Sequence, residues 1–408
     1  MLNIPKTLRG YLKQRRNWEK LMQAGAQLAR AAADSGSTSS HLSEVRDFGS
    51  NPGALRMLTY LPEQASSELP LVVVLHGCTQ TASSYDRGAG WSTLAERFGF
   101  ALLLPEQQRA NNPNGCFNWF EPADTERGRG EALSIRQMIE RMVSNRQVDP
   151  KRVFVTGLSA GGAMTSVMLA TYPEVFAGGA IIAGLPYGAA GNVKEAFENM
   201  FQCPSRSARA WGDLVRAASP HKGPWPRVSV WHGGADKTVI PANAREIVKQ
   251  WTDVHGLSKT PSVETVVDGY PRQVWVNQVG DELIESYTIT NMAHGTPLAT
   301  GGGGDGCGAA GPFLLEAGIS SSHHIAEFFG LTNASRAAVA SKQRASIGRL
   351  SDQASARSAT APSPVLEGEI LEPGVDGGPN RRMPRSPTLD IASIINKAFT
   401  AAGLMKNH

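Results

Sequence analysis

Residues 152–172 constrain this chain more than any other stretch. Val153, Phe154 and Val155 suit a strand buried on both faces. Gly157-Leu158-Ser159-Ala160-Gly161 follows, and then Met164, Val167, Met168 and Thr171 recur at helical spacing. Strand, tight turn and helix, in that order, present the Ser159 hydroxyl at the tip of the turn. A side chain at Gly157 or Gly161 would collide with the adjoining strand or helix. Beyond Ser159 a helix opens, and its first N–H groups favour negative charge. The chain has 43 Gly in 408 residues, so the glycine–serine pattern alone carries little weight. The strand before it and the helix after it give it meaning.

The rest of the chain offers similar strands. Residues 70–75 are apolar without alternation, as a central strand covered on both faces requires. Further strands are predicted at 54–61, 100–104, 177–182, 227–231, 274–276 and 284–289. Helices are predicted at 91–98, 131–143, 243–254 and 324–329. This alternation predicts an α/β fold, a mostly parallel central sheet with helices on both faces, over residues 45–330.

A serine hydroxyl is a weak nucleophile until a base is in reach and an acid orients that base. In chains with this turn the order is serine, acid, histidine. Asp236 follows an apolar strand in Gly233-Gly234-Ala235-Asp236, at the same sheet edge as Ser159. Asp253 sits in a helix, and Asp268 and Asp281 sit in glycine-containing turns without such a strand before them. His294, in a glycine-flanked loop after the last strand, is the expected base. His323 and His324 open a helix, and His76 and His232 read as structural residues at strand ends. An oxyanion needs two aimed N–H groups. Ala160, directly after the serine, supplies one. Cys78, in the loop His76-Gly77-Cys78-Thr79, supplies the other, with Thr79 as the alternative.

Composition limits the remaining choices. Hydrophobic residues make up 41% and charged residues 19%, which suits a globular core. A formal net charge of +4 is small for this length and does not point to nucleic acid. No apolar run is long enough to span a bilayer, and the basic N-terminus lacks the continuous apolar stretch of a secretory leader. The four cysteines form no C-x-x-C pair, so no metal or other cofactor is expected. Cys78 and Cys116 both fall in loops at the active edge of the sheet, where a disulfide would fix the oxyanion loop against a pocket wall. In a reducing compartment the same pair would remain packed thiols. Residues 1–44 read as a basic helical extension and linker. Residues 331–408 read as a largely disordered tail ending in an amphipathic helix at 389–404. Either terminal helix could meet a polymer granule or an amphiphilic surface.

Three segments occur in order: His76-Gly77-Cys78-Thr79-Gln80, Cys116-Phe117-Asn118-Trp119-Phe120 and Gly157-Leu158-Ser159-Ala160-Gly161-Gly162-Ala163-Met164. Together they resemble the esterase, polyhydroxybutyrate (PHB) depolymerase family, which includes feruloyl and acetylxylan esterase-like members. The resemblance covers roughly residues 48–330. It implies an α/β-hydrolase fold, hydrolysis of esters or polyesters through an acyl-enzyme, and an extracellular setting, with a cytoplasmic one as the alternative. Trp119, Asn118 and Thr79 become candidates for the substrate wall. Trp119 and Phe120 fit a hydroxyalkanoate pocket and a feruloyl or acetylxylan pocket equally well. A protein of another class, binding granules on a hydrolase scaffold, would not require Ser159, Asp236 and His294 together.

Overall fold

The computed structural model describes residues 41–63, 68–145, 148–301 and 306–332. The helix and linker expected before residue 41, and the tail and amphipathic helix expected beyond 332, lie outside the described residues. Among these residues, ten strands form one sheet. In chain order they are β1 (Ser43–Val45), β2 (Arg56–Tyr60), β3 (Leu69–Leu75), β4 (Ala101–Glu106), β5 (Val148–Leu158), β6 (Gly178–Ile182), β7 (Arg227–Gly233), β8 (Val263–Val267), β9 (Tyr270–Val276) and β10 (Glu282–Ile289). Across the sheet the order is β1-β2-β4-β3-β5-β6-β7-β10-β9-β8. The six strands from β4 to β10 in that order pair in parallel. Antiparallel strands extend both flanks.

The central strands show why the sheet needs two covers. All seven residues of β3 are buried. Val72 and Val74 enter one core, and Val73 and Leu75 enter the other, as period-two geometry demands. One face packs on α4 (Gly130–Ser144), α5 (Ala160–Thr171), α7 (Ala208–Ala217) and α8 (Ala242–His255), with Met138, Met164, Trp211 and Trp251 in a common core. The other packs on α1 (Ala82–Ala89), α2 (Trp91–Phe98) and α9 (Ser321–Phe328), with Tyr85, Trp91, Phe154 and Ile325. Each fully buried side chain of this size contributes roughly 1.5–3 kcal/mol by removing apolar surface from water.

Several elements go beyond the sequence reading. The sheet starts at Ser43, before the expected boundary at 45, and Leu42 is already buried. Leu331 is buried too, so the core outlasts the expected end at 330. β8 and β9 form a hairpin through Asp268 and Gly269, whose φ angles of 50° and 85° suit a two-residue turn. Among the helices not expected from sequence are α1, α6 (Val193–Phe201) and α7. Each has a side-chain cap: Thr81, Asn192 and Ser207 accept from backbone N–H groups in the first turn. The short α3 (Pro122–Thr125) and a small ribbon of β11 (Thr296–Leu298) and β12 (Leu314–Glu316) complete the fold. No helix among the described residues is long and apolar enough to cross a membrane.

Candidate active site

Ser159 occupies the single residue between β5 and α5. Its φ of 57° and ψ of −115° are unfavourable for a residue with a side chain, at a cost of about 1–3 kcal/mol. Its neighbours hold it there: the Ser159 N–H donates to the Ile182 carbonyl at 2.9 Å, and its carbonyl accepts from Ala163 N–H at 2.8 Å. A Cβ on Gly161 would lie 2.2 Å from the Leu75 carbonyl oxygen, so only glycine lets α5 press against the end of β3.

Asp236 lies in the loop after β7, 3% exposed. Its Oδ1 accepts the N–H groups of Thr238 at 2.8 Å and Val239 at 3.0 Å. Its Oδ2 faces His294 Nδ1 at 2.7 Å. Burial opposes ionisation, but the facing His294 imidazole, with hydrogen bonds from His232 and His294, outweighs it and holds the carboxyl below the usual carboxylate range. An ionised carboxylate only accepts, so the His294 proton sits on Nδ1. Nε2 is then the acceptor for the Ser159 hydroxyl, 2.9 Å away. The loop carrying His294 follows β10 and closes tightly on β7. A Cβ on Gly233 would lie 2.4 Å from the Met292 carbonyl oxygen and 2.5 Å from that of Ala293.

The loop after β3 brings Cys78 to the other side of the serine. Cys78 is joined to Cys116 by a disulfide, with Cα atoms 4.2 Å apart. The Thr79 N–H donates to the Asn114 carbonyl at 2.7 Å, so of the two candidate donors Thr79 is already engaged. Ala160 opens α5, where its N–H has no helical acceptor. Ser159, Ala160, Cys78 and His294 line a common cavity of about 330 Å³. Its walls are largely apolar: Trp119 and Phe120 from one loop, Phe197 and Met200 from α6, and Phe313. Among the described residues no group of three or more His, Cys, Asp or Glu side chains is arranged to hold a metal ion.

These features have close counterparts. A family model described as Esterase PHB depolymerase matches residues 55–266. The poly(3-hydroxyalkanoate) depolymerase C of Paucimonas lemoignei is 50% identical over 291 residues, 71% of this chain and 70% of its own length. An acetylxylan esterase of Coprinopsis cinerea is 36% identical over 263 residues, 63% of this chain and 69% of its own. Among solved structures, an acetyl xylan esterase from Aspergillus awamori superposes with a TM-score of 0.60 at 26% identity, covering 71% of this chain and 99% of that one. The chain belongs to the esterase PHB depolymerase family.

This family placement makes it a carboxylic ester hydrolase of the α/β-hydrolase fold. The family match ends before His294, which the fold itself carries to the serine. The competing acids are placed elsewhere: Asp253 pairs with Arg216, Asp268 with His324, and Asp281 with Asn277. Two expected wall residues, Thr79 and Asn118, are not among those lining the cavity. Thr79 is buried in its own loop. Asn118 accepts from Asn112 and donates to Asp124, because its backbone is drawn inward by Glu131. His232 has the structural place expected of it at a strand end, while the α6 wall residues were not marked by the sequence. His232 Nε2 donates to the Val239 carbonyl at 2.7 Å and lies 3.4 Å from Asp236 Oδ2, pinning the acid's loop. The α6 residues Phe197 and Met200 had no strand or motif beside them to mark them as pocket wall.

Proposed function

We propose that this chain cleaves short hydroxyalkanoate esters and polyesters, with Ser159 as nucleophile, His294 as general base and acid, and Asp236 as its orienting carboxylate. The observation that carries the reading is the unbroken Ser159–His294–Asp236 hydrogen-bond chain opening into an apolar cavity. Ser159 Oγ attacks the ester carbonyl as His294 Nε2 takes its proton. The carbonyl oxygen gains the negative charge, which the Ala160 and Cys78 N–H groups face. His294 returns the proton to the departing alcohol as the acyl–oxygen bond breaks. Water then repeats the sequence on the Ser159 acyl ester, releasing the acid and restoring the serine.

The 50% identical relative named as a depolymerase supports a hydroxyalkanoate acyl group. The apolar walls contain no charged side chain among their aromatic and aliphatic members, which suits a short aliphatic acyl chain. The Cys78–Cys116 disulfide supports action in an oxidising, extracellular setting. The test is a substrate panel of hydroxybutyrate oligomers, methyl ferulate and acetylated xylan, with Ser159→Ala as the control. The expected outcome is highest kcat/KM on the oligomers and none for the control. Preference for acetylated xylan or methyl ferulate would overturn the substrate class, and an active control would overturn the mechanism.

A further inference from the structure

Behind the oxyanion side of the site lies a buried polar network that the chemistry above does not use. At its centre is Glu131, in the first turn of α4 and 0% exposed. Its Oε2 accepts the Asn118 backbone N–H at 2.9 Å. Its Oε1 accepts the Gln107 side-chain amide. The orientation of Gln107 is fixed by its partners: its Oε1 accepts from the Gln108 N–H and from Asn111 Nδ2, each at 2.9 Å. Its Nε2 is therefore the donor, and it also reaches the Cys116 carbonyl at 3.1 Å. On the other side, the Gln107 backbone N–H donates to His76 Nε2 at 3.1 Å. A backbone N–H can only donate, so the His76 proton is on Nδ1, which donates to the Gly77 carbonyl at 2.8 Å.

The carboxyl group is thus tied, through one glutamine, to both halves of the disulfide. One path ends on the Cys116 carbonyl and the other on Gly77, the residue before Cys78. Stability does not account for a buried carboxyl here. Burying a polar group costs free energy unless it is hydrogen-bonded, whereas a network of bonded polar groups fixes one geometry.

We propose that Glu131 is a positioning residue for the oxyanion donor: its buried carboxyl, bonded to the Asn118 N–H and the Gln107 amide, holds the disulfide-joined Cys78 and Cys116 segments where the Cys78 N–H faces the reacting carbonyl. The inference rests on the reading of Ser159 as nucleophile and Cys78 as oxyanion donor. Glu131 does not touch the substrate. Its loss therefore affects the charged transition state more than ground-state binding.

The test uses the full chain and a soluble p-nitrophenyl butyrate substrate, with an alkyl boronic acid that forms a tetrahedral adduct on Ser159. Glu131→Ala removes both acceptors and is expected to lower kcat about ten- to hundredfold. KM should stay within about twofold of wild type. Assayed near pH ~9, above the value of about 8 at which the buried carboxyl ionises, Glu131→Gln keeps one acceptor and sets an NH₂ against a donor, so kcat is expected to fall about threefold or more. Boronate affinity should weaken in step with kcat in both variants. If Glu131→Ala does not fold, Glu131→Gln decides. A folded variant with wild-type kcat and boronate affinity overturns the proposal, whatever its melting temperature. Ser159→Ala separates the two readings. If it is inactive while both Glu131 variants are normal, only the positioning role fails. If it remains active, the site reading itself fails.

Discussion

On the proposed mechanism, the chemistry depends on one acceptor atom of Asp236, the Oδ2 that faces His294 Nδ1. Asparagine at 236 fits the same space but can turn an NH₂ toward His294 Nδ1, which favours the wrong tautomer at the Ser159 side. Asp236→Asn is expected to lower kcat on the order of 10⁴-fold with little change in KM, as measured on a soluble ester. Glu131 makes a different residue-level prediction. Burial, reinforced by the charge of Asp124, pushes its carboxyl up to about 8 from 4.5, against the pull of the Asn118 N–H and the Gln107 amide. Between those values the folded chain keeps a proton that the unfolded chain has released. Glu131 therefore makes stability fall as pH rises from about 4.5 to about 8, and contributes no further slope above that. Glu131→Gln should remove this component. Urea midpoints of both proteins near pH ~5 and pH ~9 measure it, and parallel pH profiles would contradict it.

At the scale of elements, the site depends on how closely the His294 loop lies on β7. Gly233→Ala would place a methyl group within 2.4 Å of the Met292 carbonyl oxygen and 2.5 Å of the Ala293 carbonyl oxygen. Backbone must move, and His294 moves with it. The expected result is a folded protein whose kcat falls about 100-fold, since displacements near 1 Å have that effect. Near-normal turnover would show that the loop can shift without carrying His294 away from Ser159. The same elements show what could be read in the sequence. The turn at Ser159 was legible because two glycines, a buried strand and a helix each impose a constraint there. Asp236 and His294 were legible because each follows an apolar strand in the right order. Gln107 and Glu131 were not: a loop glutamine and a helical glutamate look like solvated residues until the fold buries them. Asp268-Gly269 carried a hairpin signal, but the weak apolar content of β8, exposed along most of its length, hid the strand beside it. Asn118 was misplaced because a motif gives neighbours in sequence but not the direction a side chain faces.

At the scale of the molecule, the sheet, both cores and the Ser159–His294–Asp236 chain are all found within residues 41–332. The composition beyond that point is poor in core-forming side chains. A chain ending at Thr332, which retains the buried Leu331, is expected to keep kcat/KM on a soluble ester within about twofold of the full chain. A large loss in a truncated protein with an intact melting transition would assign the tail a part in catalysis. The three side chains proposed to react follow three different strands, β5, β7 and β10, and the serine and histidine lie 135 positions apart in sequence. This spacing has a consequence in time. During synthesis Ser159 appears long before its partner, and until β10 docks on β7 it is an ordinary alcohol. On the proposed mechanism, a chain still leaving the ribosome holds the serine but not yet its base. Activity of that kind would wait for the long-range pairing of β10 with β7, the step that carries His294 to Ser159.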